Sequence, residues 1–239
     1  MKVKTRISMK QERFRRIVPQ KHWKISAEKK GLYANKMMKL LRGLYNVKDL
    51  RLSEFILKAL GGAPNMLGCQ PHQLYHNLRT LKLRTWLTRG CLHSITYLLR
   101  ISPHIESLSL ELSEGLFDVQ CRRGGYLDFN EVTFDSEILG NNREAWLLLP
   151  CMMDHLKYAE IQGVRGCLNE LKFLEFLLTN AIALEKLVLT PCLRYSKQEV
   201  LMKFHEKLLT YPRASKDTKI LLESEQICKF LPFVSYFSP

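Results

Sequence analysis

Long hydrophobic runs are missing from this sequence. No apolar stretch approaches the roughly 20 residues that a membrane-spanning helix needs. The first 30 residues are too polar and too often interrupted for the core of a signal peptide. We therefore expect a protein of the nucleus or cytoplasm that is not secreted and has no membrane partner.

Recognisable catalytic and cofactor motifs are also missing. The sequence has no GxSxG, no P-loop, no GxGxxG and no HExxH motif. Its acidic and histidine residues are scattered, and no pair stands out for general acid–base catalysis. The sequence gives no positive signal for an enzyme, so we predict a non-enzymatic protein without a cofactor.

The cysteines do not form a disulfide or metal-binding pattern. All seven lie at scattered positions in a chain without an export signal, which is typical of reduced thiols. Cys69, His72 and His76 lie near Cys91 and His93 in the sequence. Their spacing does not fit the paired ligands of a zinc site, so we predict no bound metal.

Acidic residues are scarce near the N-terminus. The first 46 residues contain 14 Lys or Arg but only Glu12 and Glu28. The whole chain has a net charge of +14, so the rest is nearly neutral. We interpret residues 1–33 as a basic, disordered leader, with a nuclear-import or nucleic-acid-binding patch as the alternative.

Leucine is the residue in excess, at 42 of 239 positions. A short pattern, apolar-x-x-apolar-x-apolar, recurs at residues 47–52, 78–83, 105–110, 156–161 and 184–189. The steps between the central apolar residues are 31, 27, 51 and 28, and three of them are close to one leucine-rich repeat. The alternation within each copy predicts a short strand with one buried face.

Apolar residues at helical spacing separate several of these strands. The spacing predicts helices over 34–44, 91–101 and 168–180, then a helix over 196–209 and a last strand over 218–222. One strand and one helix cannot bury their own apolar faces, but stacked neighbours can. We predict an α/β fold: a curved leucine-rich-repeat solenoid with parallel strands inside and helices outside, continuing into a strand–helix unit.

The remaining composition predicts the domain limits. Leucine-rich repeats are expected over 34–147, of which 111–147 is an acidic, irregular insertion. Within it, 126–129 resembles a degenerate strand. The insertion lacks the DxDxDG spacing of a calcium loop, so we interpret it as an exposed linker. Residues 226–239 form an apolar tail, expected to pack on the end of the solenoid.

The C-terminal part carries a long run of characteristic residues. It includes Leu149-Pro150-Cys151, Ala159-Glu160-Ile161, Gly163-Val164-Arg165-Gly166, Glu170-Leu171, Asn180-Ala181, Leu184-Glu185-Lys186-Leu187 and Pro212-Arg213-Ala214-Ser215. This run closely resembles the FBD domain of plant F-box proteins over residues 148–225. Upstream, 37–43, 47–53 and 98–103 resemble the later leucine-rich repeats of the same family.

The resemblance implies a role in protein recognition. In such proteins an F-box docks a Skp-type adaptor of a cullin ubiquitin ligase, and the repeats select the substrate. Residues 1–33 do not match an F-box. We therefore expect the substrate-recognition half of a receptor without its adaptor dock, and we do not expect the Skp-type adaptor as a partner.

A solenoid binds its partner on the concave sheet, through residues that flank the buried leucines. The predicted protein-binding residues are Asp49, Arg51, Ser53, Thr80, Lys82, Arg84, Ser107, Ser109, Glu111, Tyr158, Glu160, Gln162, Lys186 and Thr190. Their ligand is a protein that the sequence does not identify. Two alternatives stay open: a nucleic-acid-binding protein that uses its basic leader, and a truncated paralogue that is inactive or competes for substrate.

Overall fold

The computed structural model describes residues 27–62, 75–85, 87, 89–113, 153–192 and 198–223. The elements in these ranges are α1 (Ala27–Arg42), β1 (Asp49–Leu52), α2 (Glu54–Gly61), β2 (Thr80–Thr85), α3 (Arg89–Arg100), β3 (Ser107–Leu112), β4 (Tyr158–Val164), α4 (Leu168–Asn180), β5 (Lys186–Pro191), α5 (Gln198–Leu209) and β6 (Lys219–Leu222). None of the described helices is long and apolar enough to cross a membrane.

Four predictions lie outside the described residues. They concern the leader up to residue 26, the acidic insertion from residue 114 to 147, the degenerate strand at 126–129 and the apolar tail at 226–239.

The six strands form one parallel sheet in the order in which they occur along the chain. The central apolar residues of the five sequence patterns align across it in a single row, and Ile220 of β6 extends that row. Listed from one edge, the row is Leu50, Leu81, Leu108, Ala159, Leu187 and Ile220. The structure thus confirms an α/β protein with parallel strands.

The first apolar residue of each pattern closes a turn that leads into the strand. In all five copies its backbone N–H donates to the carbonyl oxygen three residues earlier. The donor and acceptor pairs are Val47 and Leu44 (3.2 Å), Leu78 and Tyr75 (3.3 Å), Ile105 and Ser102 (3.2 Å), Leu156 and Met153 (3.3 Å), and Leu184 and Ala181 (3.4 Å). The spacing in the sequence therefore reports one turn geometry repeated five times.

The core lies between the sheet and the helices. Apolar residues of the strands and helices form one buried cluster that runs through the described elements. Its largest fully buried side chains are Phe173, Phe176 and Phe204, and the rings of the first two lie 6.4 Å apart. Burying a side chain of this size contributes about 1.5–3 kcal/mol. The predicted helix over 168–180 coincides with α4.

Other boundaries differ from the prediction. Helix α1 begins at Ala27, seven residues before position 34, so residues 27–33 do not belong to a disordered leader. The helix extends because Ala, Glu and Lys favour helical backbone, and the buried face that the sequence pattern predicted includes Ala34. Glu111 and Leu112, assigned to the insertion, instead complete β3 because they pair with Arg84 and Thr85.

Helix α2 was not predicted from the sequence. It follows β1 after a single residue, Ser53, which occupies the N-cap position. Ile56, Leu57 and Leu60 are buried at helical spacing. A helix of 8 residues carries too few turns for this periodicity to stand out beside the stronger leucine pattern of β1.

The backbones of α2 and α3 touch at two glycines. A Cβ atom built on Gly61 would lie 2.1 Å from the carbonyl oxygen of Gly90. Such a contact is far shorter than a van der Waals separation, and the obstacle is backbone that cannot rotate away. Gly61 therefore sets how closely the two helices pack.

We expect Gly61→Ala to lower the free energy of unfolding by about 1–3 kcal/mol, because the added methyl group forces α2 and α3 apart. Gly31→Ala is the matched control, since a Cβ there meets no atom within 4 Å. Because Gly31 lies inside α1, its replacement should raise stability by roughly 0.5–1 kcal/mol. Urea denaturation measures both values. An equal effect of the two substitutions would refute the contact.

Candidate protein-interaction face

Strands β1 to β4 bury alternate residues in the core and present the others on the opposite side, and β5 and β6 extend that side of the sheet. We call this opposite side the open face. Its predicted members are Asp49, Arg51, Thr80, Lys82, Arg84, Ser107, Ser109, Glu111, Tyr158, Glu160, Gln162, Lys186 and Thr190, and each is exposed or half-buried. The structure therefore brings thirteen of the fourteen predicted binding residues onto one surface.

Strand pairing arranges these side chains in rows. One row runs through Asp49, Thr80, Ser107, Tyr158 and Lys186. The next runs through Arg51, Lys82, Ser109 and Glu160. A third contains Arg84, Glu111, Gln162 and Thr190. Residues on neighbouring strands in one row lie about 4.8 Å apart, so a ligand on this face would meet several strands at once.

Ser53 does not belong to the open face. It is only 8% exposed, because β1 ends at Leu52 and Ser53 begins the turn into α2. Its carbonyl oxygen accepts the backbone N–H of Ile56 at 3.1 Å and that of Leu57 at 3.3 Å. Ser53 was included among the predicted binding residues because the strand was taken to continue through it, whereas β1 ends one residue earlier.

Strand β6 adds residues that sequence reasoning missed. Lys219 pairs with Lys186 and extends the first row. Leu221 pairs with Val188, which is 2% exposed although its neighbours Leu187 and Leu189 both face the core. The leucine pattern is incomplete in β6 and does not show which of its residues face the core. Only the charge of Lys219, next to an apolar run, could have indicated that Lys219 lies on the open face.

Ion pairs link three strands and α2 on one half of the open face. Glu111 lies 3.9 Å from Arg51 and 3.5 Å from Arg84. Arg84 also lies 3.9 Å from Glu54, at the start of α2, and its Nε donates to Ser113 Oγ at 3.1 Å. The Arg51, Arg84 and Glu111 side chains are 74%, 46% and 45% exposed, so each pair between them contributes about 0–1 kcal/mol.

The other half of the open face centres on Tyr158. Burial, with the charges of Glu160 and Glu223, raises the pKa of Tyr158 above its ordinary value. Its hydroxyl therefore stays protonated at neutral pH and can donate a hydrogen bond. The Lys186 ammonium lies 6.0 Å from the centre of the Tyr158 ring, and Gln162 donates to Glu160 at 2.6 Å. This half combines hydrogen-bond donors and acceptors with both signs of charge.

No metal centre is present among the residues that the structure describes: no three His, Cys, Asp or Glu side chains are placed to hold an ion. His76, His104 and His155 do approach one another near the N-terminal edge of the sheet. The ring centres of His76 and His104 are 6.0 Å apart, and those of His104 and His155 are 5.1 Å apart. The three side chains do not form a coordinating group.

Two signature glycines, Gly163 inside β4 and Gly166 just after it, have a structural explanation. Gly163 and Gly166 both have φ of +83°, a conformation that other residues adopt only with strain. Gly163 lies at the register shift of β4, and a Cβ there would be 3.1 Å from the carbonyl oxygen of Leu112. Both glycines therefore shape the turn from β4 into α4.

Glu170 fixes the same turn from inside the protein. Its carboxylate accepts the backbone N–H groups of Arg165 (3.0 Å), Gly166 (2.8 Å) and Cys167 (3.0 Å). Burial raises the pKa of Glu170 to about 6, although these three N–H groups and the Arg165 charge act to lower it. The side chain is buried beneath the turn and belongs to the fold instead of the open face.

The signature residues 212–215 attach the α5–β6 loop to the core. The Ala214 N–H donates to the Leu178 carbonyl at 2.9 Å, and Ser215 Oγ donates to the Leu184 carbonyl at 2.8 Å. Thr218 Oγ1 donates to the same Leu184 oxygen at 2.8 Å. The residues that carry the FBD resemblance thus mainly build the scaffold, and Glu160 and Lys186 are the signature residues on the open face.

Comparison with known proteins agrees with the resemblance of the C-terminal part. The family model FBD matches residues 148–189. A putative F-box/FBD/LRR-repeat protein of Arabidopsis thaliana is 29% identical over 151 residues, which are 63% of this chain and 29% of the relative. These matches support a plant FBD-containing protein. No solved structure gave a significant match.

The chain spans 29% of the length of that relative. The matched FBD region covers β4, α4 and most of β5, and so includes the turn that Glu170 fixes.

Glu170→Gln should change how stability depends on pH. The pKa of Glu170 is 4.5 unfolded and about 6 folded, so its contribution to stability is present below pH 4.5 and lost as the pH rises through 6. The stability difference between wild type and Glu170→Gln should therefore shrink by about 2 kcal/mol between pH 4.5 and pH 7. Urea denaturation across this range measures the difference.

Glu175→Gln is the control, since Glu175 lies on the exposed side of α4. Glu170 is unchanged in this variant, so the loss of stability that Glu170 titration causes between pH 4.5 and pH 7 should remain. If Glu170→Gln gives a stability difference that is constant with pH, or one that grows toward pH 7, the buried Glu170 carboxylate does not titrate as described.

Proposed function

We propose that this protein is a protein-interaction module, in which the open face of a leucine-rich-repeat solenoid selects a protein partner. The observation that carries the proposal is the alignment of polar and charged side chains in rows across adjacent strands. The module resembles the substrate-recognition half of a plant F-box receptor. It performs no chemistry of its own.

Two features support a solenoid. The strands follow one another across the sheet in sequence order, so each strand pairs with its predecessor and its successor in the chain. The same turn precedes β1 to β5. Repeats that contact only their neighbours stack into a curved array, and such arrays present their sheet to a ligand.

The link to ubiquitination rests on similarity. The FBD match and the Arabidopsis relative connect the chain to proteins whose name combines an F-box, an FBD and leucine-rich repeats. We propose that the described sheet performs recognition alone, and that it does not bind the Skp-type adaptor. On this proposal the protein selects a partner, in the nucleus or cytoplasm, without itself recruiting the cullin.

A second candidate function is nucleic-acid binding. Helix α1 exposes Lys29, Lys36, Lys39 and Arg42 on its solvent side, next to the basic first 26 residues of the sequence. Binding driven by phosphate contacts must weaken steeply as salt rises. A DNA or RNA affinity that falls several-fold per doubling of salt would favour this function, and absent binding would remove it.

Charge reversal on the open face tests the first proposal. A tagged wild-type chain expressed in plant cells should co-purify a reproducible set of proteins. Arg51→Glu, Lys82→Glu and Arg84→Glu combined should reduce recovery of those proteins at least about tenfold, because the charges that meet the partner change sign. Quantitative mass spectrometry of the purified material provides the measurement.

The matched control is Lys36→Glu, Lys39→Glu and Arg42→Glu combined, which changes the net charge equally on α1. Its partners should be those of the wild type. Equal recovery with both triple variants would refute recognition by the open face. Stoichiometric recovery of the Skp-type adaptor and cullin would refute the proposal that the chain selects without recruiting.

A further inference from the structure

The open face carries a concentrated positive charge over β1 and β2. Arg51 and Lys82 are direct partners in the strand register, and Arg84 follows two residues after Lys82. All three side chains are exposed. Lys82 forms no ion pair with any residue that the structure describes. A lysine with no carboxylate partner beside two arginines attracts an anionic group.

Glu111 is the carboxylate that these arginines share. It stands on β3, whereas Arg51 stands on β1, so their contact crosses β2 and about 10 Å of sheet. The other oxygen of Glu111 meets Arg84. One carboxylate therefore reaches between two cations on separate strands. Because the Glu111 side chain is 45% exposed, its ion pairs contribute little free energy. A ligand carboxylate or phosphate can therefore replace Glu111 at a small free-energy cost.

The strand next to the basic residues carries small side chains on the open face. Ser107 and Ser109 on β3 lie in register between the longer side chains of β2 and those of Tyr158 and Glu160 on β4. Both serines are half-buried. The Ser109 hydroxyl supplies a hydrogen-bond donor in register with Lys82, and that of Ser107 lies one row away, which suits a group that has several acceptor oxygens.

We propose that Arg51, Lys82 and Arg84 form a subsite for an acidic side chain, a carboxylate or a phosphate, carried by an extended segment of the partner protein. Glu111 is the internal counter-ion that holds the arginines until the segment binds. The proposal deepens the proposed function, because it rests on recognition by the open face and names the chemistry of the partner.

The surrounding charges favour a protein segment over a nucleic acid. Asp49 is exposed in the row beside Arg51, and Glu160 follows Ser109 along the row of Lys82. A polyphosphate backbone that crossed the subsite would meet these carboxylates on either side. A single acidic side chain flanked by neutral residues avoids both.

Fluorescence anisotropy with the full chain tests this subsite. The probes are labelled Gly/Ser peptides whose central residues are glutamate, phosphoserine or glutamine. We expect the glutamate and phosphoserine peptides to bind and the glutamine peptide not to bind. The acidic peptide that binds with the higher affinity shows whether the subsite prefers a carboxylate or a phosphate.

Three variants make the test specific. Lys82→Glu should weaken binding of the acidic peptides at least about tenfold. Lys219→Glu changes the net charge equally on the far side of the open face, and it should change affinity less than about twofold if binding is local. Glu111→Gln removes the internal counter-ion and should tighten binding about threefold.

These outcomes separate the subsite from general attraction to a basic chain. Equal weakening by Lys82→Glu and Lys219→Glu, or weaker binding with Glu111→Gln, would overturn the proposal. So would the absence of binding by either acidic peptide, or tighter binding of single-stranded DNA that Lys82→Glu abolishes. Circular dichroism of the variants should match that of the wild type, because all these side chains are exposed or half-buried.

Failure of the subsite would not by itself remove the proposed function. If Lys82→Glu keeps the peptide affinity of the wild type while the triple charge reversal still loses its partners, the open face recognises proteins through other chemistry. If the triple reversal also keeps every partner, the face is not the recognition surface and both proposals fail.

Discussion

The architecture depends on one constraint, the in-register pairing of parallel strands along a row of buried apolar residues. The row from Leu50 to Ile220 has to face the core, because a shift of one residue would turn its side chains to the solvent. The same pairing places the intervening residues in rows on the open face. The buried leucines thus determine the position of Arg51, Lys82 and Glu160 without contacting a ligand themselves.

The residues that build the scaffold and those on the open face are largely separate in the C-terminal part. Gly163, Gly166 and Glu170 shape one turn, and Ala214 and Ser215 attach another to the core. These residues make the sequence resemble an FBD, yet the roles described for them lie in backbone conformation and in contacts within the protein. A shared scaffold signature is therefore compatible with open faces that differ from one protein to the next.

The sequence predicted the strands well because each strand combines period-two burial with a recurrent turn. Leu50, Leu81 and Leu108 carry that pattern without interruption, and their strands fall where it predicts. Helix α2 was missed because it is short and begins directly after β1. Ser53 was misassigned for the same reason, since alternation alone does not show where a strand gives way to a helix.

Contacts between residues of different helices and strands could not be predicted from the sequence. Glu111 and Arg51 are far apart in the chain, and only the strand order shows that they meet across β2. The contact between Gly61 and Gly90 likewise depends on how two helices cross. The strand that carries Lys219 was predicted, but its incomplete leucine pattern did not show that Lys219 lies on the open face. The local periodicity predicted the helices and strands. The contacts between them depend on packing, which the periodicity does not show.

The lengths of the outer strands have a consequence for solubility. Among the described strands, β1 and β6 form the two ends of the sheet, and each is 4 residues long, whereas the inner strands have 6 or 7. A short end strand offers few unpaired backbone groups to a second sheet. Exposed charges on Asp49, Arg51 and Lys219 further oppose such pairing. Both features oppose edge-to-edge pairing at the two ends of the described sheet.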